Sequence, residues 1–155
     1  MKTLRDLMET HTRPGRLDWI GLRPARRAAM LAVDRAGITG SGLVGDRHPS
    51  HGKRAVTLIQ AEHLPVIAAL CDGEATPENL RRNLVVSGLN LAALKNRDLR
   101  IGSATLRITG PCAPCSRMEE TLGQGGYSAV RHHGGWCASV AVPGDIAVGD
   151  TVHPA

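Results

Sequence analysis

Apolar and polar positions alternate along this chain in short runs, and the period of the runs changes often. Residues 2–9 suit a short helix, which Thr12, Arg13, Pro14 and Gly15 break. Residues 16–33 read as strand, interrupted by Pro24 and by Arg26 and Arg27. Residues 37–45 are rich in glycine and read as a connection. The compact β-branched run from Ala55 to Gln60 reads as a buried strand. The period then turns helical, with Leu64, Ile67, Ala68 and Cys71 on one face. Thr76 before Pro77 is a helix start, since threonine can cap free amides and proline fits the first helical position. Residues 83–87 return to strand. Residues 99–108 and 145–153 each place Gly with Ser or Asp between alternating runs, and both read as hairpins. Cys137 opens a further strand. Many short strands with three or four short helices predict an α+β fold. A β-rich barrel with peripheral helices fits better than a doubly wound sheet.

A length of 155 residues fits one domain spanning 1–155. Hydrophobic residues at 42% can fill a core, but with no Phe, one Tyr and two Trp that core must be aliphatic. Tyr127 and Trp136 are expected to pack within it. The formal charge of +5 is dispersed, with clusters at residues 23–27, 51–54 and 81–82. This suits an anionic ligand. Three aromatics give little stacking surface, so nucleic acid is not an expected partner. No apolar run approaches the roughly 20 residues of a membrane span, and residues 1–9 do not resemble a signal peptide. The expected location is cytoplasmic, where four cysteines (71, 112, 115, 137) read as thiols, ligands or catalytic groups.

The chemistry concentrates between Gly110 and Arg117, in the order Gly-Pro-Cys-Ala-Pro-Cys-Ser-Arg. A strand ends at Gly110, and Ser116 with Glu119 has capping-box spacing. Cys115 then falls just before a helix start, where free amides, the helix dipole and Arg117 favour a thiolate. Four readings of Cys112 and Cys115 remain open. One is a zinc site with His133 and Cys137, for which no second CxxC is present. Another is a thioredoxin-type couple, although the motif sits too late in the chain for that fold. A third is a pair of buried thiols. The fourth is a single thiolate ligand to a transition metal, or a persulfide carrier. Glycines at 123, 125 and 126 allow close backbone approach to a ligand. This makes Gly125 a binding candidate, with Arg131, His132 and His133 at the site mouth. His48 and His51, beside Asp46 and Lys53, read as a solvated loop before a metal site. Asp46 and Asp150 read as turn residues.

Several pieces in this order resemble the MOSC family, named for the C-terminal domain of molybdenum cofactor sulfurase. They are Gly42-Leu-Val-Gly-Asp46, Val56-Thr-Leu-Ile59 with Glu62, His63 and Leu64, Arg81-Arg-Asn-Leu-Val-Val-Ser-Gly88, Leu99-Arg-Ile-Gly102, the cysteine segment, and Gly144-Asp-Ile-Ala-Val-Gly-Asp150. The resemblance runs over about residues 42–152. It implies a MOSC-type barrel that binds a molybdenum cofactor (molybdopterin), with Cys115 as molybdenum ligand and catalytic residue. Cys112 is then optional. Arg81 and Asn83 are expected near the pterin phosphate or at the site wall, and Arg117 as a further cofactor contact. The activity implied by the amidoxime-reducing and hydroxylaminopurine-resistance members is a molybdenum-dependent oxidoreductase acting on a small N-hydroxylated substrate. Its electrons would come from an external donor protein. The alternatives are a sulfur carrier using a Cys115 persulfide, fed by a sulfur donor, and a non-catalytic cofactor-binding module. No pyridoxal phosphate is expected, because the chain has no room for the domain that holds it in the sulfurase.

Overall fold

The computed structural model describes residues 1–47 and 52–155; the expectation for His48 and His51 lies outside them. Strand β1 (Gly15–Leu22) follows a short exposed helix, α1 (Leu4–Met8). Strands β2 (Leu31–Val33), β3 (Arg35–Thr39), β4 (Gly42–Leu43) and β5 (Val56–Gln60) come next. Helices α2 (His63–Ala69) and α3 (Pro77–Leu80) lead to β6 (Leu84–Ser87). A turn of 3₁₀ helix (Leu91–Leu94) precedes β7 (Asp98–Ile101) and β8 (Ala104–Pro111). Helices α4 (Ser116–Leu122) and α5 (Gly126–Val130) then lead to β9 (Trp136–Val142), β10 (Gly144–Ala147) and β11 (Thr151–Pro154).

The main sheet runs β11-β7-β8-β9-β5-β6-β1, and β1 pairs with β11 to close a seven-stranded barrel, with β2 attached to β1. Closure leaves no open edge in the ring. The barrel pairings are antiparallel except β5 with β6. A parallel pair needs a long crossover. Here the crossover carries α2 and α3 across one end of the barrel and delivers residues 81–83 to that end.

The aliphatic core forms as expected. Leu17, Ile20, Leu58, Leu84, Leu99, Ile101, Leu106 and Ile108 fill the barrel and are fully buried. A second cluster lies under the helices, where Ile59 and Val85 from the sheet meet Ile67, Leu80, Met118, Leu122 and Val130. Val56–Gln60 is buried along its whole length because one face points into each cluster.

Three elements differ from the sequence reading. The glycine-rich stretch 37–45 is a paired hairpin of β3 and β4, with Ile38 opposite Leu43. Its glycines permit the turn: Gly42 has φ +108, and a side chain there would strike the Ala55 carbonyl. Residues 145–153 do not form a hairpin, since β10 pairs with β3 and β11 pairs with β7 and β1. The turn between them is held to other elements, Val148 N–H donating to Asp34 and Gly149 N–H to Leu17. The expected hairpin at 99–108 does form, with Ile101 opposite Ala104. Finally, Ser116 is the first residue of α4 and Cys115 is its N-cap, so the Ser116–Glu119 capping box is not made. The Glu119 carboxylate instead accepts from the backbone N–H groups of Gly125 (2.9 Å) and Tyr127 (3.0 Å), which holds its pKa below the usual range.

Among the described residues, no helix is long and apolar enough to cross a membrane.

Candidate functional site

At the end of the barrel covered by α3 and α4, a cavity of about 470 Å³ is lined by Arg23, Arg26, Arg27, Arg47, Arg81, Arg82 and Arg117, together with Cys115. Ala25, Leu80 and Met118 supply its apolar patches. Seven guanidinium groups around one opening make a strongly positive site. Of these, Arg23 alone is ion-paired with a carboxylate among the described residues.

Local chemistry explains each placement. Arg23 follows β1 and is fixed by Asp46, whose carboxylate accepts from the Arg23 backbone N–H (2.8 Å), Nε (3.0 Å) and Nη2 (2.7 Å). Burial raises the Asp46 pKa, but the hydrogen bonds and charge of Arg23 outweigh it, and the net result is a lowered value. Asp46 closes the expected turn, its N–H donating to the Leu43 carbonyl at 3.1 Å, and its carboxylate is also a buried anchor for Arg23. Arg81 ends α3 in the left-handed conformation, φ +56, and donates to the Ala28 carbonyl. Burial, and then repulsion from Arg117 and Arg23, lower its pKa. These three cations therefore converge, a strained arrangement that an anion between them would relieve.

Arg82 is the most informative cation. It is only 6% exposed. Its Nε donates to Gly134 (2.6 Å) and its Nη1 to Leu80 (2.8 Å), while Nη2 is buried without a partner. A buried guanidinium with an unused donor is costly unless an acceptor arrives. Arg82 lines the cavity, while its Nη2 atom is itself closed off from solvent.

Cys115 is exposed and lines this cavity at the start of α4, which Met118 and Leu122 anchor in the second core cluster. Of the residues expected from sequence, Cys115, Arg81 and Arg117 are brought together here. Asn83 is not among the lining residues. It is fully buried, its Oδ1 accepting from Arg23 Nη2 (3.2 Å), Thr57 N–H (3.1 Å) and Thr57 Oγ1 (3.2 Å), and its Nδ2 donating to Gly21 (3.1 Å). It stands behind the wall and orients Arg23. Gly125 lies outside the cavity as the exposed N-cap of α5, φ +86. The glycine beside it, Gly126, serves helix packing, since a side chain there would press on Leu122 and the Met118 carbonyl.

Arg131 lines a second cavity of about 330 Å³ on the other side of the 112–115 segment. Lys95, Pro111, Cys112, Pro114, Tyr127, His132 and Trp136 share its wall. Tyr127 is exposed there rather than in the core. His133 packs edge-on against His63, with ring centroids 5.9 Å apart. No group of three or more His, Cys, Asp or Glu side chains is gathered for a metal among the described residues, so the four-ligand zinc arrangement does not form.

Sequence reasoning missed Arg23, Arg26, Arg27, Arg47 and Arg82 as site residues. The signal was the basic cluster beside Pro24, which reads locally as an interrupted strand.

The chain belongs to the MOSC domain family, whose model matches residues 39–153. That family is associated with molybdenum-cofactor binding. Among solved structures, the YUAD protein from Bacillus subtilis is similar with a TM-score of 0.80 and 19% identity, over 90% of this chain and 94% of that one. YiiM from Escherichia coli is similar with a TM-score of 0.70 and 21% identity, over 90% of this chain and 69% of that one. YiiM from Geobacillus stearothermophilus is similar with a TM-score of 0.73 and 15% identity, over 92% and 75% of the two chains. At these identities the likeness is one of fold. A search of curated proteins by sequence returns no significant match.

Proposed function

We propose that the arginine cavity holds a molybdenum cofactor, with Cys115 as the protein ligand to the metal, and that the protein reduces N-hydroxylated compounds. One observation carries this reading: a soft sulfur donor and seven guanidinium groups share one cavity. The donor set fits both ends of the cofactor, a thiolate for the metal and guanidinium groups for the phosphate. Arg81, Arg117 and Arg82 are the natural phosphate contacts, because arginine offers two parallel donors to an oxyanion. Arg23, held by Asp46 and Asn83, fixes the cavity wall.

When bound, the cofactor supplies two-electron redox chemistry, and the residues around it supply position and field. The arginines act as fixed charges and hydrogen-bond donors rather than as acids or bases. An external protein would supply the electrons. The open mouth of the cavity admits a small substrate beside Cys115.

Metal analysis of protein made in a cofactor-competent host tests the reading. We expect about one molybdenum per chain, lost in Cys115→Ala and kept in Cys112→Ala. Molybdenum retained by Cys115→Ala would overturn the assignment of Cys115. An added sulfur on Cys115 in metal-free protein would support the persulfide carrier instead.

A further inference from the structure

The second cysteine of the motif has its own partner, and it is not Cys115. Strand β8 runs out along β9 with Gly110 opposite Cys137 and Pro111 opposite Trp136, and the Cys112 N–H donates to the Gly135 carbonyl at 2.9 Å. Residue 112 lies one position past β8 and residue 135 one position before β9, so this hydrogen bond sits where the strand pair ends. Gly110 has no side chain, and nothing lies within 4 Å of where its Cβ would be. Cys112 follows just past the end of β8, and its thiol takes a hydrogen bond from that of Cys137.

The surroundings of this thiol pair favour charge on one sulfur only. The hydrogen bond from Cys137 lowers the Cys112 pKa, burial opposes it, and the charges of Arg82, Arg23 and Arg54 lower it further, leaving it at about 6. The same hydrogen bond and burial push Cys137 upward. Arg82 is the nearest structural link, since a Cβ on Gly134, which lines the second cavity with Cys112, would sit 3.1 Å from the unpartnered Nη2. Cys137 itself is buried, whereas Cys112 opens onto the second cavity, whose wall includes the rings of Pro111, Pro114, Tyr127 and Trp136.

We propose that Cys112 is a reactive thiolate that reduces organic hydroperoxides reaching it through the second cavity, with Cys137 as the resolving thiol. In the first step the Cys112 sulfur attacks the terminal peroxide oxygen. The O–O bond breaks, the alkoxide leaves and takes a proton to become the alcohol, and Cys112 is left as a sulfenic acid. In the second step the Cys137 sulfur attacks the sulfenic sulfur and water leaves, its proton coming from the Cys137 thiol. Two thiols supply two electrons, and the products are one disulfide, one alcohol and one water. The order of events follows from the pair itself. While Cys112 is a thiolate it holds the proton on Cys137. Once Cys112 is a neutral sulfenic acid, that restraint is gone and Arg54 and Arg82 still favour ionisation of Cys137. Closing the disulfide draws in residue 112, at one end of the segment that carries Cys115 at the other.

The test uses metal-free wild-type protein, so its outcome is independent of the molybdenum reading. Iodoacetamide labelling followed site by site across the acidic-to-neutral range should find Cys112 modified with a rate that rises through pH of about 6. Cumene hydroperoxide should then give a Cys112–Cys137 link on peptide mapping without reductant. Cys137→Ser should stop at a Cys112 sulfenic acid that dimedone traps. A Cys112 rate that stays flat through this range, or a link from Cys112 to Cys115 in place of Cys137, would each overturn the proposal.

Discussion

Two thiols stand at the ends of one four-residue segment and meet opposite surroundings. On the Cys115 side, seven arginines face a cavity and the sulfur is exposed among them. On the Cys112 side, the sulfur is tucked against a second thiol, and the cavity wall sets the rings of Pro111, Pro114, Tyr127 and Trp136 beside Lys95 and Arg131. The difference arises from backbone geometry. Residue 112 still continues the β8–β9 ladder, whereas residue 115 has turned out of it to begin α4. A CxxC spacing therefore guarantees proximity along the chain and nothing about shared chemistry.

If the two sides are separate, damage to one should spare the other. The largest effect is expected from Asp46→Ala, which leaves Arg23 buried without its carboxylate. Loss of one member of a buried pair costs about 3–5 kcal/mol, read as a lower midpoint in denaturant. The sign of the pH effect follows from the lowered Asp46 pKa. The pair's contribution is fully present above the unfolded value of 3.8 and is lost as pH falls through the lower folded value. Wild type and variant should therefore differ at neutral pH and converge in acid, and a constant gap would refute the ion pair's role.

Asn83→Ala should come next, at about 2–3 kcal/mol, because it strands the partners of four side-chain hydrogen bonds. Phosphate should then protect this variant from thermal unfolding less well than it protects wild type. Cys112 labelling should be unchanged, and a parallel loss of Cys112 reactivity would break the comparison. The smallest effect is expected from Glu119→Ala. Glu119 sits on the helix that Cys115 starts, and it holds the amides of Gly125 and Tyr127, the latter residue lining the other cavity. Faster hydrogen exchange at those two amides, with little change in the unfolding midpoint, would mark it as a local tie between the sides.

The barrel was readable in the sequence because its signals are local. The aliphatic run at 55–60, the threonine–proline start of α3 and the hairpin at 99–108 each carry their own period or turn chemistry. What was not readable depends on partners distant in sequence. The turn at 148–150 looks like a hairpin until Asp34 and Leu17 take its amides. Asp46 closes the turn its motif implies, but its second role, anchoring Arg23, depends on a partner 23 positions away. Glu119 has capping-box spacing, yet it serves a helix further along the chain. In the site, Cys115, Arg81 and Arg117 were legible from resemblance. Most of the arginine wall was not, since three separate segments must fold together before it exists.

The aliphatic interior has an optical consequence. With two tryptophans and one tyrosine, near-ultraviolet signals come from few places. Trp19 packs with the helical cluster, close to Gly21 and Met30. Trp136 lines the cavity beside Cys112, opposite Pro111. Replacing Trp19 with phenylalanine would leave an emission spectrum dominated by one indole, which reports on the wall of the second cavity without any added label.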